Sequence, residues 1–158
     1  MGHMSTGKMW QTSSTSSGAT EKLGELLGYN LRGGEVIELI SDLGGGKTTF
    51  VRGLARGFGS KDKTASPSFT IGKVYKAGSK EMHHFDFYRL SEAGVVEDEL
   101  AEILGDQHIV TVVEWANIIR GVLPKDRLSI SFRTIGEDTR QITFKLPSSL
   151  DYLMKGLV

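Results

Sequence analysis

The strongest constraint on how this chain can fold is the passage from Val36-Ile37-Glu38-Leu39-Ile40 into Ser41-Asp42-Leu43-Gly44-Gly45-Gly46-Lys47-Thr48-Thr49. A short apolar run reads as a buried strand, and Phe50, Val51, Leu54, Ala55 and Phe58 beyond it recur at helical spacing. Strand, glycine loop and helix in that order predict an α/β protein. Successive glycines leave backbone N–H groups unobstructed, so the loop can curl around a phosphate chain. The first turn of the following helix adds unpaired donors and a positive dipole end. Lys47 is placed to reach terminal phosphates, and the Thr48 hydroxyl to ligate magnesium. The full Walker A pattern G-x-x-x-x-G-K-[ST] is not met, because Ser41 stands at its first glycine. A glycine-rich turn ahead of an ordinary helix is the plainer alternative; the strand before and the helix after favour the phosphate loop.

Two acids further on are candidates for the same site. Ile109-Val110-Thr111-Val112-Val113 is apolar almost throughout, as a strand buried on both faces is, and it runs into Glu114-Trp115. An acid just past a buried parallel strand lies at the carboxyl edge of the sheet, where open α/β sheets bind ligands. Asp86 closes the run Glu81 to Phe87 and is placed as a magnesium-linked or water-orienting acid; a turn or cap role is its alternative. His83 and His84 have no partner at metal-ligand spacing and read as structural.

The remaining chain fills in around these elements. Residues 1–18 are rich in serine, threonine and glycine and begin with Met1-Gly2-His3-Met4, which reads as a vector remnant, so a leader with little order is expected there. Residues 19–147 are expected to form the single domain, and 148–158 a tail with at most a short helix. Leu23, Leu26 and Leu27 lie on one face of a helix starting near Thr20, with Ser17 or Thr20 as its cap. Phe69 to Tyr75 and Glu81 to Phe87 predict a hairpin around a five-residue loop, Lys76 to Lys80. Glu97 to Leu104 predicts a short helix with an acidic solvated face, and Arg127 to Arg133 with Arg140 to Leu146 a second hairpin around Gly136. The hydroxyl-rich stretch Ser66-Pro67-Ser68-Phe69-Thr70 is either a switch segment sensing the terminal phosphate or an edge strand, and sequence leaves both open.

Composition narrows the partners. The 158 residues carry 19 lysines and arginines against 19 aspartates and glutamates, so no global field recruits nucleic acid or membrane. DNA and membrane partners are therefore not expected. No cysteine is present, which removes disulfides and thiolate chemistry and fits a reducing compartment. A cytoplasmic location is the expectation. With charge recruitment absent, a protein partner would need aromatic anchors, for which Tyr88 and Trp115 are candidates.

Taken together, Asp42 to Gly53, Ser66 to Thr70, His84-Phe85-Asp86-Phe87-Tyr88-Arg89-Leu90 and Glu114-Trp115 resemble one family, the TsaE (YjeE) P-loop ATPases of bacterial tRNA threonylcarbamoyladenosine (t6A) formation. The likeness extends from about Thr20 to Leu146, with Ser41 and Ser68 departing from the family's glycine and threonine. It implies a single-domain P-loop NTPase with a three-layer mixed sheet flanked by helices and antiparallel hairpins. It also implies an ATPase with ATP and Mg2+ that drives turnover of a TsaB–TsaD complex, meeting tRNA only through that complex. Carried over, the nucleotide lies on Asp42, Leu43, Gly44, Gly45, Gly46, Lys47, Thr48 and Thr49, with Arg140 nearby. Thr48 and Glu114 hold magnesium, Asp86 lies near the terminal phosphate, Ser66, Ser68 and Thr70 form a switch, and Trp115 lies next to the site. A P-loop kinase using Asp86 as base, or a nucleotide switch with negligible hydrolysis, remains the alternative.

Overall fold

The computed structural model describes residues 7–41, 46–61, 72–87, 94–114 and 121–157. Its strands are β1 (Lys8–Ser14), β2 (Val36–Ser41), β3 (Gly72–Ala77), β4 (Lys80–Asp86), β5 (Ile109–Glu114), β6 (Leu128–Thr134) and β7 (Arg140–Leu146). The helices are α1 (Ser17–Asn30), α2 (Lys47–Phe58) and α3 (Gly94–Ile103), followed by a 3-10 helix, Ser148–Met154. All strands join one sheet in the order β1-β7-β6-β2-β5-β4-β3. The central strands β6, β2, β5 and β4 are mutually parallel, while β1, β7 and β3 add antiparallel pairings at the two sides.

The central parallel strands are apolar because both of their faces are covered. Ile37 and Leu39 point to one side, with Leu27, Phe50, Leu54, Ile130, Ile142 and Phe144. Val36 points to the other, with Phe85, Phe87, Leu100, Val113 and Leu123. Helices α1 and α2 lie on the first side and α3 contributes Leu100 to the second, so the architecture is a three-layer mixed α/β domain.

Glycine brings α1 and α2 together. Gly24 and Gly28 on α1 face Gly53 and Gly57 on α2, and a Cβ at any of the four would overlap a carbonyl oxygen of the opposite helix. Two helices that touch backbone to backbone leave no room for a methyl group at the seam. The Ser16 hydroxyl caps α1 by accepting from Ala19 N at 3.0 Å, so the cap precedes both expected candidates, Ser17 and Thr20.

Three expectations are revised. Residues Lys8–Ser14 form an edge strand on β7 instead of belonging to a leader with little order. Their side chains are mostly polar; what holds them is a full backbone ladder, from Lys8 opposite Leu146 to Ser14 opposite Arg140. The first hairpin turns through Gly78-Ser79 alone, since Ala77 still pairs with Lys80, and Gly78 takes φ +65° there. The segment after Leu146 is part of the domain. Leu153 and Met154 are buried in the main core, and the Asn30 amide donates to the carbonyls of Leu153 and Lys155. Tyr152 Oη donates to Glu35 at 2.6 Å, and the same carboxylate accepts from the backbone of Arg32 and Gly33.

The hairpin β6–β7, the strand β5 and the parallel setting of β2 stand as expected. Among the described residues no helix is long and apolar enough to cross a membrane.

Candidate functional site at the carboxyl edge of the sheet

The parallel pairing of β4, β5 and β2 brings three chain segments to one edge. Asp86 is in register with Glu114 across β4 and β5, and Leu39 with Glu114 across β5 and β2. Beyond Leu39 the chain reaches Ser41, then Gly46 in the left-handed region at φ +94°, and then the first turn of α2. That conformation favours glycine, and it turns the chain directly into the helix.

Lys47 is the first residue of α2 and is 7% exposed, rare for a lysine without a specific environment. Its Nζ donates to Ser41 Oγ at 2.7 Å and lies 3.9 Å from Glu114 Oε1. Ser41, the departure from the glycine pattern, is thus an acceptor for the loop lysine. Glu114 is equally buried, at 5%, and its other oxygen lies 2.5 Å from His84 Nε2. A buried carboxylate flanked by an ammonium and an imidazole is held in one orientation.

A cavity of about 200 Å³ opens beside this pair, lined by Thr48, Val51, Lys73, Tyr75, His84, Asp86 and Glu114. The carboxylate of Asp86 is exposed at its mouth. Burial raises the Tyr75 phenol above its ordinary range, against the Arg52 charge that lowers it and with Glu114 that raises it further, so it faces the cavity as a neutral group. A second cavity, of about 160 Å³, lies on the other side of Gly46 and is lined by Ser16, Ser17, Thr20, Thr49, Asp138 and Arg140. Arg140 donates Nη1 to the carbonyls of Glu137 and Thr139, but its buried Nε has no partner among the described residues. An orphaned guanidinium donor at a cavity wall suits an added acceptor.

Lys47, Thr48, Asp86 and Glu114 are thus brought into one place, and Gly46, Thr49 and Arg140 into the adjoining one. His84, taken as structural from the sequence, belongs to the site through Glu114, and Tyr75 joins it unannounced; the alternation His84-Phe85-Asp86, which puts His84 and Asp86 on one side of β4, was the available signal. Asp42, Leu43, Gly44, Gly45, Ser66, Ser68, Thr70, Tyr88 and Trp115 lie outside the described residues.

An open mixed sheet whose central strand leads towards a helix headed by lysine, with two acids on neighbouring strand ends, defines a three-layer mixed α/β protein with its candidate ligand site at the carboxyl edge of the sheet. The profile of the family described as "Threonylcarbamoyl adenosine biosynthesis protein TsaE" matches residues 14–142. The chain belongs to the TsaE family, whose members are involved in t6A biosynthesis on tRNA. It is 39% identical over 129 residues to the tRNA threonylcarbamoyladenosine biosynthesis protein TsaE of Bacillus subtilis, covering 79% of this chain and 78% of that one. The protein of the same name from Treponema pallidum is 35% identical over 130 residues, covering 82% and 96%. Among solved structures, the crystal structure of Bacillus subtilis YdiB superposes with a TM-score of 0.76 at 32% identity, over 99% of this chain and 97% of that one.

Proposed function

We propose that this protein is a cytoplasmic ATPase that drives turnover of a TsaB–TsaD partner complex in t6A formation. The observation that carries the proposal is the buried Lys47, held between the Ser41 hydroxyl and the Glu114 carboxylate at the head of α2. A phosphate chain entering there exchanges one anionic partner of the ammonium for another, so Lys47 binds it without first being dragged out of water. The orphaned Nε of Arg140 favours a nucleotide reaching into the second cavity.

The donor set also suits magnesium, a hard cation that takes oxygen ligands and keeps several waters. Thr48 and Glu114 supply such oxygens, with Asp86 close by. Bound magnesium would supply neutralisation of the phosphate charge. In this proposal His84 fixes the Glu114 carboxylate, Asp86 orients the attacking water and Tyr75 closes one wall as a neutral donor. Ser66, Ser68 and Thr70 are the candidate switch that responds to the partners, with Tyr88 and Trp115 as candidate anchors for them.

Phosphate release from ATP, measured with and without magnesium and with and without TsaB and TsaD, tests the proposal. Slow magnesium-dependent release that accelerates with the partners is expected. Release that ignores the partners, or a phosphorylated metabolite in place of free phosphate, would overturn it.

A further inference from the structure

One wall of the cavity beside Glu114 is formed by β3, which contributes Lys73 and Tyr75. Strand alternation puts these two side chains on the same face. It is the face turned towards α2, because Tyr75 packs against the main core and stands in register with the buried Met82. Lys73 is in register with His84, and β3 runs antiparallel to β4, so the start of β3 lies at the carboxyl edge of the parallel strands. Across that edge the side chains follow in the order Lys73, His84, Glu114, Lys47, with His84 and Lys47 at the two oxygens of Glu114. Asp86, two residues after His84, shares its face of β4. An ammonium therefore stands on either side of the two acids.

The cations around the cavity differ in their commitments. Lys47 donates to Ser41 and faces Glu114, Arg52 lies 3.7 Å from Glu21, and His84 is bonded to Glu114. Lys73 is exposed and makes no hydrogen bond or ion pair with any described residue. Charge balance gives it a task. With magnesium on Thr48 and Glu114, the double charge of the ion offsets Asp86 and Glu114, and the two ammoniums of Lys47 and Lys73 remain to offset the terminal phosphate.

Building on the ATPase reading, we infer that Lys73 is a catalytic residue whose Nζ donates to the γ-phosphoryl oxygens, as an arginine finger does in GTPases, but supplied by the chain's own edge strand. In the step, the oxygen of water bonds to the γ phosphorus while the bond to the β–γ bridging oxygen breaks, and ADP keeps that electron pair. One water proton stays on the inorganic phosphate and the other is released to solvent. The charge spread over the γ oxygens as this happens is what a second ammonium stabilises. A lysine stem loses rotamer freedom when it is held. No described residue holds Lys73 in advance, so slow turnover of the isolated chain follows.

The test measures phosphate release from ATP with magnesium for wild type, Lys73→Ala, Lys73→Arg and a control, Lys76→Ala, which removes a lysine from the opposite face of the same strand. Affinities for ADP alone and for ADP with aluminium fluoride, a mimic of the phosphoryl group in transfer, are titrated on the same proteins. Lys73→Ala should lower kcat about a hundredfold, the size lost with one donor aimed at developing charge. Its KM for ATP should change less than kcat, and its ADP affinity and melting temperature should match wild type. The fluoride complex should weaken by the same factor as kcat. Lys73→Arg keeps the charge and should restore most of both losses, and Lys76→Ala should behave as wild type. Four outcomes overturn the inference: wild-type kcat in Lys73→Ala, ADP affinity that falls as far as affinity for the fluoride complex, an arginine variant as slow as the alanine variant, or a Lys76→Ala protein as slow as Lys73→Ala. Absence of phosphate release from wild type overturns the ATPase reading instead; contact of Lys73 with the terminal phosphoryl group is then decided by the fluoride titration alone.

Discussion

Lys47 sits where removal of one ammonium has two local consequences. The Ser41 hydroxyl loses the Lys47 ammonium as a donor, and Glu114 loses the same charge while His84 stays at its other oxygen. Lys47→Ala should therefore abolish measurable ATP hydrolysis, because no other described cation replaces it at the head of α2. The fold should survive, with circular dichroism like that of wild type, since the lysine is absent from both apolar clusters. Glu114→Gln and Asp86→Asn keep shape and lose charge, and each should blunt the magnesium dependence of turnover. A variant that titrates with magnesium as wild type does would return that acid to a structural role.

At the scale of elements, the α1–α2 seam reverses an ordinary expectation. In an exposed helix a glycine changed to alanine gains about 1 kcal/mol. At Gly57 the added methyl meets the Glu25 carbonyl of α1, and backbone cannot step aside as a side chain tip does. Gly57→Ala should cost roughly 2 kcal/mol or more, read as a lowered urea midpoint. A neutral or stabilised variant would mean that the helices lie further apart.

The C-terminal 3-10 helix is held by a different element contact, Tyr152 against Glu35, with the Arg32 guanidinium 3.9 Å over its ring. Burial, then the bond to Glu35, raises the Tyr152 phenol well above its ordinary range. A raised folded pKa means that the native state holds its proton after the unfolded chain has released it. Stability from this group is complete below about pH 10 and declines as pH rises through that value. Tyr152→Phe should lose on the order of 1 kcal/mol at neutral pH and show a shallower alkaline decline. Chemical denaturation at several pH values from neutral to strongly alkaline reads both effects; an unchanged alkaline slope would assign the decline to other groups, Tyr75 first.

For the whole molecule, the balance of charge leaves no long-range pull towards a partner protein, so assembly has to come from packed contacts. The isolated protein should turn over slowly and accelerate with TsaB and TsaD. Trp115→Ala should reduce that acceleration more than it reduces ATP affinity, which titration of the two separately would read. An isolated protein as fast as the assembly, or a Trp115→Ala protein that loses only ATP affinity, would remove the case for partner gating.

Local pattern in the sequence determined the central elements: the apolar runs of β2 and β5, the glycine turn into α2 and the β6–β7 hairpin all follow from periodicity and turn chemistry. Lys47, Thr48, Asp86 and Glu114 were legible for the same reason, since each stands at a strand end or helix start that the pattern locates. Only tertiary structure decided the rest. Lys8–Ser14 is a strand because β7 offers an unpaired edge, and a backbone ladder leaves no trace in the order of side chains. Glycines 24, 28, 53 and 57 look like helix weakeners until two backbones are seen to touch. His84 turns to Glu114 only through register between strands remote in sequence, and Arg140 comes to share a cavity with Thr49 only through the packing of the sheet against α2. Period encodes which face a residue takes, whereas its opposite number depends on which strands pair and in what alignment, a choice made by the whole core.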